Sequence, residues 1–198
     1  MKFLKENSYD IIRLIINQVG ITIFSLVIYF SVGSIDIESE LLNNLIRIFI
    51  SVFSMLFYYS LIYTISWDWG AKDKIRIDAG RMKPDKIKGL KMALVANVPN
   101  FILSLTCIIS LGIYCLGAEW LNNFYGKVTL LNKLWLAIYQ GIIHGVFSGF
   151  SQDPNQNIWL ELTYLVIPAI AILVTHLGYT LGTKEKRIFG FLKRSKQS

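Results

Sequence analysis

Apolar residues in this chain gather into long blocks from which charge is absent. No Asp, Glu, Lys or Arg occurs from Leu14 to Ile35, Ile48 to Trp67, Met92 to Ala118, Leu134 to Gln152 or Leu162 to Thr183. Each block approaches the roughly 20 residues that a helix needs to cross about 30 Å of hydrocarbon. A lipid-exposed open sheet is excluded, because its edge N–H and C=O groups would find no partner there. The pattern therefore predicts helices, and five of them are candidates to cross. The first block, preceded by Lys2 and Lys5, is expected to be a retained span, since it outruns the about 7–15 apolar residues of a signal peptide.

Charge placement reduces the number of crossings. With Lys2, Lys5 and Arg13 on the cytoplasmic side, the acidic segment holding Asp36, Glu38 and Glu40 faces out. The next connection, rich in lysine and arginine, faces in, as the bias of cytoplasmic loops requires. The tail carries Lys184, Lys186, Arg187, Lys193, Arg194 and Lys196. Five crossings would export that tail and spread the basic residues almost evenly over both sides. Four crossings leave only Arg47, Lys127 and Lys133 outside.

The block that fails to cross is expected to be Leu134–Gln152. On a helical wheel Thr129, Lys133, Gln140, His144 and Ser148 share one arc, while Leu131, Trp135, Ile138, Tyr139, Ile142 and Val146 take the other. Such a helix lies at the interface or dips in with its polar side against the bundle. Gly141, Gly145 and Gly149 form a stripe that lets helix backbones approach. Packing against a neighbour is one reading of this segment; a groove lined by Gln140, His144 and Ser148 is the other.

The expected fold is all-α: a polytopic membrane helix bundle, four transmembrane helices plus one amphipathic partial or interfacial helix. The spans fall at about 12–33, 45–67, 93–117 and 159–181 and the amphipathic helix at about 128–149, in a single membrane domain over 1–198. The loop over 68–91 and the tail over 184–198 are expected in the cytoplasm, with the N-terminus. Trp67, Trp69, Trp120, Trp135 and Trp159 fall near span ends, as an aromatic belt does. Pro99 either kinks the third span or begins it, and Pro168 frees the carbonyl of Tyr164.

Composition agrees and narrows the function classes. At 54% hydrophobic, 17% charged and a mean hydropathy of +0.48, the chain is too apolar for an ordinary soluble domain. Disorder is excluded, and two cysteines exclude a disulfide scaffold. The net charge of +7 resides in the loop and tail. There Lys72, Lys74, Arg76, Arg81, Lys83, Lys86 and Lys88 are candidates for contact with anionic lipid headgroups or a membrane-protein partner. Asp68, Asp73, Asp78 and Asp85 are close enough in sequence to pair with them, so the loop is expected to be structured. Nucleic acid is not expected as a partner, since topology explains the charge and no recognition motif accompanies it.

The run WDWGAKDKIRIDAGRMK at 67–83, with Asn17-Gln18 and Gly20 in the first span, Asn97-Val98-Pro99-Asn100 in the third and GYTLG at 178–182, resembles an uncharacterised family of small multi-pass membrane proteins of low-GC Gram-positive bacteria. The resemblance covers most of the chain, implies a bacterial cell membrane and carries over no catalytic residue.

Catalytic and metal chemistry find little support. Cys107 and Cys115 stand about 12 Å apart along one helix and cannot bridge. His144 and His176 lack metal-ligand spacing, and no phosphate-binding or dinucleotide fingerprint occurs, so no cofactor is expected. A serine–histidine dyad of the intramembrane-protease type would need Ser148 and His176, which fall at opposite ends of the expected spans. Two function classes remain. One is a non-catalytic accessory or interaction subunit of a membrane complex, in partnership with another membrane protein or a second copy. The other is a small transporter or channel with a polar site formed by Asn17, Gln18, Asn97 and Asn100, at a shared depth in spans one and three, together with Gln140 and His144.

Overall fold

The structure, a computed structural model, describes residues 2–33, 39–115, 127 and 158–188. Within them the chain forms four helices: α1 (Lys2–Gly33), α2 (Glu40–Asp78), α3 (Lys88–Cys115) and α4 (Ile158–Thr183). Three of these, α2, α3 and α4, contain stretches long and apolar enough to cross a membrane. The segment about 128–149, with Gln140, Gly141, His144, Gly145, Ser148 and Gly149, lies outside the described residues.

The helix ends follow local chemistry. Ser39 caps α2, its hydroxyl accepting from the Leu42 N–H at 3.4 Å. At the far end Gly80 takes a φ of +68°, Arg81 N–H reaches the Arg76 carbonyl and Gly80 N–H reaches that of Ile77, each at 2.9 Å. This is the closure that a left-handed residue just past a helix permits, and glycine takes it without Cβ strain. α2 thus runs to Asp78, well beyond the span end expected near 67, and much of the expected loop over 68–91 is helix. Pro99 lies inside α3, which begins at Lys88.

Residue pairs fix the helix directions. α4 runs antiparallel to α3: Ser104 Oγ donates to the Tyr164 carbonyl at 3.2 Å, and Gly89 lies against Tyr179. It runs parallel to α2, where Tyr59 OH donates to the Ile167 carbonyl at 3.4 Å and Gly70 meets Gly182. α1 packs on α2 and α3, with the Phe24 and Phe57 rings 6.2 Å apart and the Lys91 ammonium 5.7 Å from the Phe3 ring. The start of α1, the end of α2, the start of α3 and the end of α4 therefore gather at one end. The Tyr164 carbonyl, freed by Pro168, is the one that Ser104 satisfies.

Around a hydrophobic core that includes Ile11, Leu14, Ile62 and Met92, polar side chains are buried and large apolar ones exposed. Ser54, Ser66, Asn97, Asn100, Ser104 and Thr175 are buried, while Ile23, Phe49, Leu56, Ile102, Ile109 and Leu173 are exposed. Apolar surface on this scale needs a covering. A bilayer would supply it for helices this long and apolar, with buried hydroxyls and amides adding hydrogen bonds between them.

Candidate functional site

The end where the four helix termini gather is organised around one buried carboxylate. Asp73, on α2, is 3% exposed. Its Oδ2 accepts from Lys88 Nζ of α3 at 2.7 Å and from the Tyr179 hydroxyl of α4 at 2.9 Å; its Oδ1 lies 3.5 Å from Arg76 Nη1. One side chain thereby joins three helices. Burying an ion is costly unless its lone pairs are satisfied, and here the phenol supplies a hydrogen bond that the ammonium leaves unmade.

Glycine makes the geometry possible. A Cβ at Gly70 would meet the Tyr179 carbonyl, one at Gly182 the Trp67 carbonyl, and one at Gly89 the Tyr179 Cβ at 2.6 Å. The end of α4 is further held to α2 by side chains. Trp67 Nε1 donates to the Lys186 carbonyl at 2.6 Å, the Arg187 guanidinium stands 4.1 Å from the Trp67 ring, and the Tyr63 hydroxyl accepts from the Ile188 N–H at 3.1 Å. The last turn of α2 carries the pair Lys74–Asp78 at 2.5 Å, and the connection from α2 to α3 is braced by Lys91 with Asp85 at 3.0 Å. Burial alone would raise the Asp85 carboxyl, but hydrogen bonds from Lys91 and the Ile87 N–H outweigh it and hold the group below the ordinary carboxylate value.

Beside Asp73 opens a cavity of about 650 Å³. α1 lines it with Phe3, Glu6, Asn7 and Asp10, spaced as one helical face, and α2 with Trp69, Lys72, Asp73 and Arg76 at the same spacing. Arg81, Met82, Asp85 and the first turns of α3 close it. The Asp10 carboxyl is raised above 3.8, chiefly by burial and against the attraction of Lys88; Asp73 adds to the rise, while Lys72 and Arg13 oppose it. A carboxyl raised in the folded state contributes stability that is present below its unfolded value and lost as pH rises through the folded one. Asp10→Asn is therefore expected to raise the melting temperature at neutral pH and to leave it unchanged near pH 3.8. Equal shifts in a melting series across that range would count against the burial of this group.

The expected site residues separate into three groups. Lys72, Arg76 and Arg81 border the cavity, Lys74 is engaged with Asp78, and Lys83 and Lys86 are exposed. Lys88 corrects the expectation of a headgroup contact: it is 9% exposed and spent on Asp73. Of the polar residues in the spans, Asn97 donates to the Ala93 carbonyl at 2.9 Å and accepts from Asn100 at 3.1 Å. Gln18 is buried on α1. Glu6, Asp10, Trp69 and Tyr179 were not singled out as site residues by the sequence. The spacing of WDWGAKD and GYTLG was the available signal: Trp69 with Asp73, and Gly178 with Gly182, each fall on one helical face. Among the described residues no group of three or more His, Cys, Asp or Glu is placed to hold a metal. No protein-family model, curated protein or solved structure matches the chain.

Proposed function

We propose that the chain is a multi-pass protein of the bacterial cytoplasmic membrane with four crossings and both termini in the cytoplasm. Its role in this reading is that of a non-catalytic accessory or interaction subunit of a membrane assembly. The observation that carries the reading is the Asp73–Lys88–Tyr179 cluster, which ties the ends of α2, α3 and α4 into one braced surface. The residues of the most distinctive motifs are used there to build a platform, and the exposed cations Arg76, Lys83 and Lys86 stand around it. Support for the crossing number comes from the antiparallel α3 and α4, which leaves the end of α3 and the start of α4 at the same end of the bundle.

A reporter fused after Ser198 is expected to be active only on the cytoplasmic side; an external signal would refute the four-crossing reading. Gentle solubilisation is expected to copurify a membrane-protein partner in fixed stoichiometry, or a second copy of the chain. A second reading, a small transporter or channel with its polar site between α1 and α3, draws on Asn17 Nδ2 and Asn100 Oδ1, which are buried without a hydrogen-bond partner. Solute flux by the purified protein in liposomes would favour that reading over the first.

A further inference from the structure

The cavity at the braced end has two walls of opposite charge. Glu6 and Asp10 line it from α1; Lys72, Arg76 and Arg81 line it from α2 and the turn that follows. Asp73, Lys88, Asp85 and Lys91 are engaged with one another or with main chain, and Arg76 reaches Asp73 through Nη1 at 3.5 Å while the rest of its guanidinium stays exposed; Glu6, Asp10, Lys72 and Arg81 make no ion pair among the described residues. Opposite charges that face each other across open space without meeting leave room for a molecule that carries both signs. A purely anionic ligand would meet the two carboxylates, and a purely cationic one would meet the three cations.

The chemistry of each wall narrows the choice. Arginine presents a planar fork that suits a phosphate oxygen pair, and lysine adds a point charge beside it. Two carboxylates opposite offer acceptors to an ammonium group, which has three donors. The position points the same way: the cavity lies where the charge-free run of α2 has just ended at Trp67 and that of α1 has not yet begun, and Trp69, Phe3 and Tyr9 edge it. Aromatic residues at that level mark the headgroup layer of a bilayer. A volume of about 650 Å³ is ample for such a group.

We propose that this cleft binds an ammonium-phosphate zwitterion of the ethanolamine type, its phosphate against Lys72, Arg76 and Arg81 and its ammonium between Glu6 and Asp10. The proposal rests on the reading that this end of a non-catalytic subunit lies at the membrane surface. It gives that subunit a ligand, supplied either by an aminophospholipid headgroup or by the free phosphomonoester.

The test uses the purified full chain in detergent and native mass spectrometry with phosphatidylethanolamine, phosphatidylglycerol and phosphatidylcholine of matched acyl chains. Phosphatidylethanolamine is expected to be retained over the other two by about tenfold or more, the scale of a lost charged hydrogen bond. Glu6→Gln with Asp10→Asn should abolish that preference, weakening phosphatidylethanolamine and relieving the repulsion of phosphatidylglycerol. Lys72→Gln with Arg81→Gln should weaken both lipids alike. None of the four side chains joins the Asp73 cluster, and a melting curve for each variant verifies that it is folded. Soluble phosphoethanolamine that competes with the lipid assigns the free compound as a ligand; selectivity without such competition assigns the lipid. Equal retention of the three lipids by the wild type, or unchanged selectivity in the Glu6/Asp10 variant, would overturn the site. Detergent has no sidedness, so that outcome leaves the reporter result on crossing number to be judged separately.

Discussion

Asp73→Ala is expected to destabilise the bundle by about 3–5 kcal/mol, because it leaves the buried Lys88 ammonium without its ion-pair partner. Lys88 is only 9% exposed, and its Nζ donates to Asp73 Oδ2 at 2.7 Å. The Tyr179 hydroxyl loses its acceptor in the same step. Three helices are affected at once, since α2, α3 and α4 each contribute one member of the cluster. The cost belongs to the orphaned charge more than to the lost pair, which makes a sharp expectation for the double variant. Asp73→Leu with Lys88→Met removes both ions and should recover much of the stability lost by Asp73→Ala alone. Melting in detergent with a far-ultraviolet readout measures this. A double variant no more stable than Asp73→Ala would show that the pair is not insulated from water as the geometry requires.

Gly182→Ala is the second large effect. The added methyl would press on the Trp67 carbonyl and on the backbone of Gly70 and Ala71. A flexible side chain could rotate away from such an intruder; a helix backbone cannot. The crossing of α2 and α4 would have to widen, drawing Tyr179 from Asp73 and the Lys186 carbonyl from Trp67. Overpacking costs typically about 1–3 kcal/mol, and a backbone-to-backbone clash belongs at or above the top of that range. Gly20→Ala is the matching control, because a Cβ there meets nothing within 4 Å. Helix propensity then favours alanine by up to about 1 kcal/mol. Expression and size-exclusion profiles of the two variants should diverge; similar profiles would mean that the close crossing is not needed.

How much of this was legible in the sequence depended on the range of the interaction. Blocks without charge announced the helices, and the loss of one donor at Pro168 announced a carbonyl in need of a partner, which Ser104 supplies. The extension of α2 was hidden because Gly70 and the dense charges of 68–78 imitate a loop. Their helical logic, Trp69, Lys72, Asp73 and Arg76 on one face, emerges only when α1 and α4 are present to cover it. Asp73 and Tyr179 are separated by 106 positions, and no local pattern marks them as partners. Lys88 was indistinguishable from the basic residues around it for the same reason: what sets it apart is burial by α2 and α4. The candidate polar site fared differently, since Asn97 and Asn100 lie within one turn and their mutual hydrogen bond follows from spacing alone.

The extension of α2 also works as a ruler. Its 39 residues make a rod of about 58 Å, against about 30 Å of hydrocarbon. With Trp67 at the hydrocarbon edge, Asp73 stands about 9 Å above it. A partner arriving at this end would therefore meet a stiff post at a fixed height. Because Asp73 and Gly70 lash that post to α3 and α4, any tilt imposed on its tip is delivered to all three helices inside the bilayer.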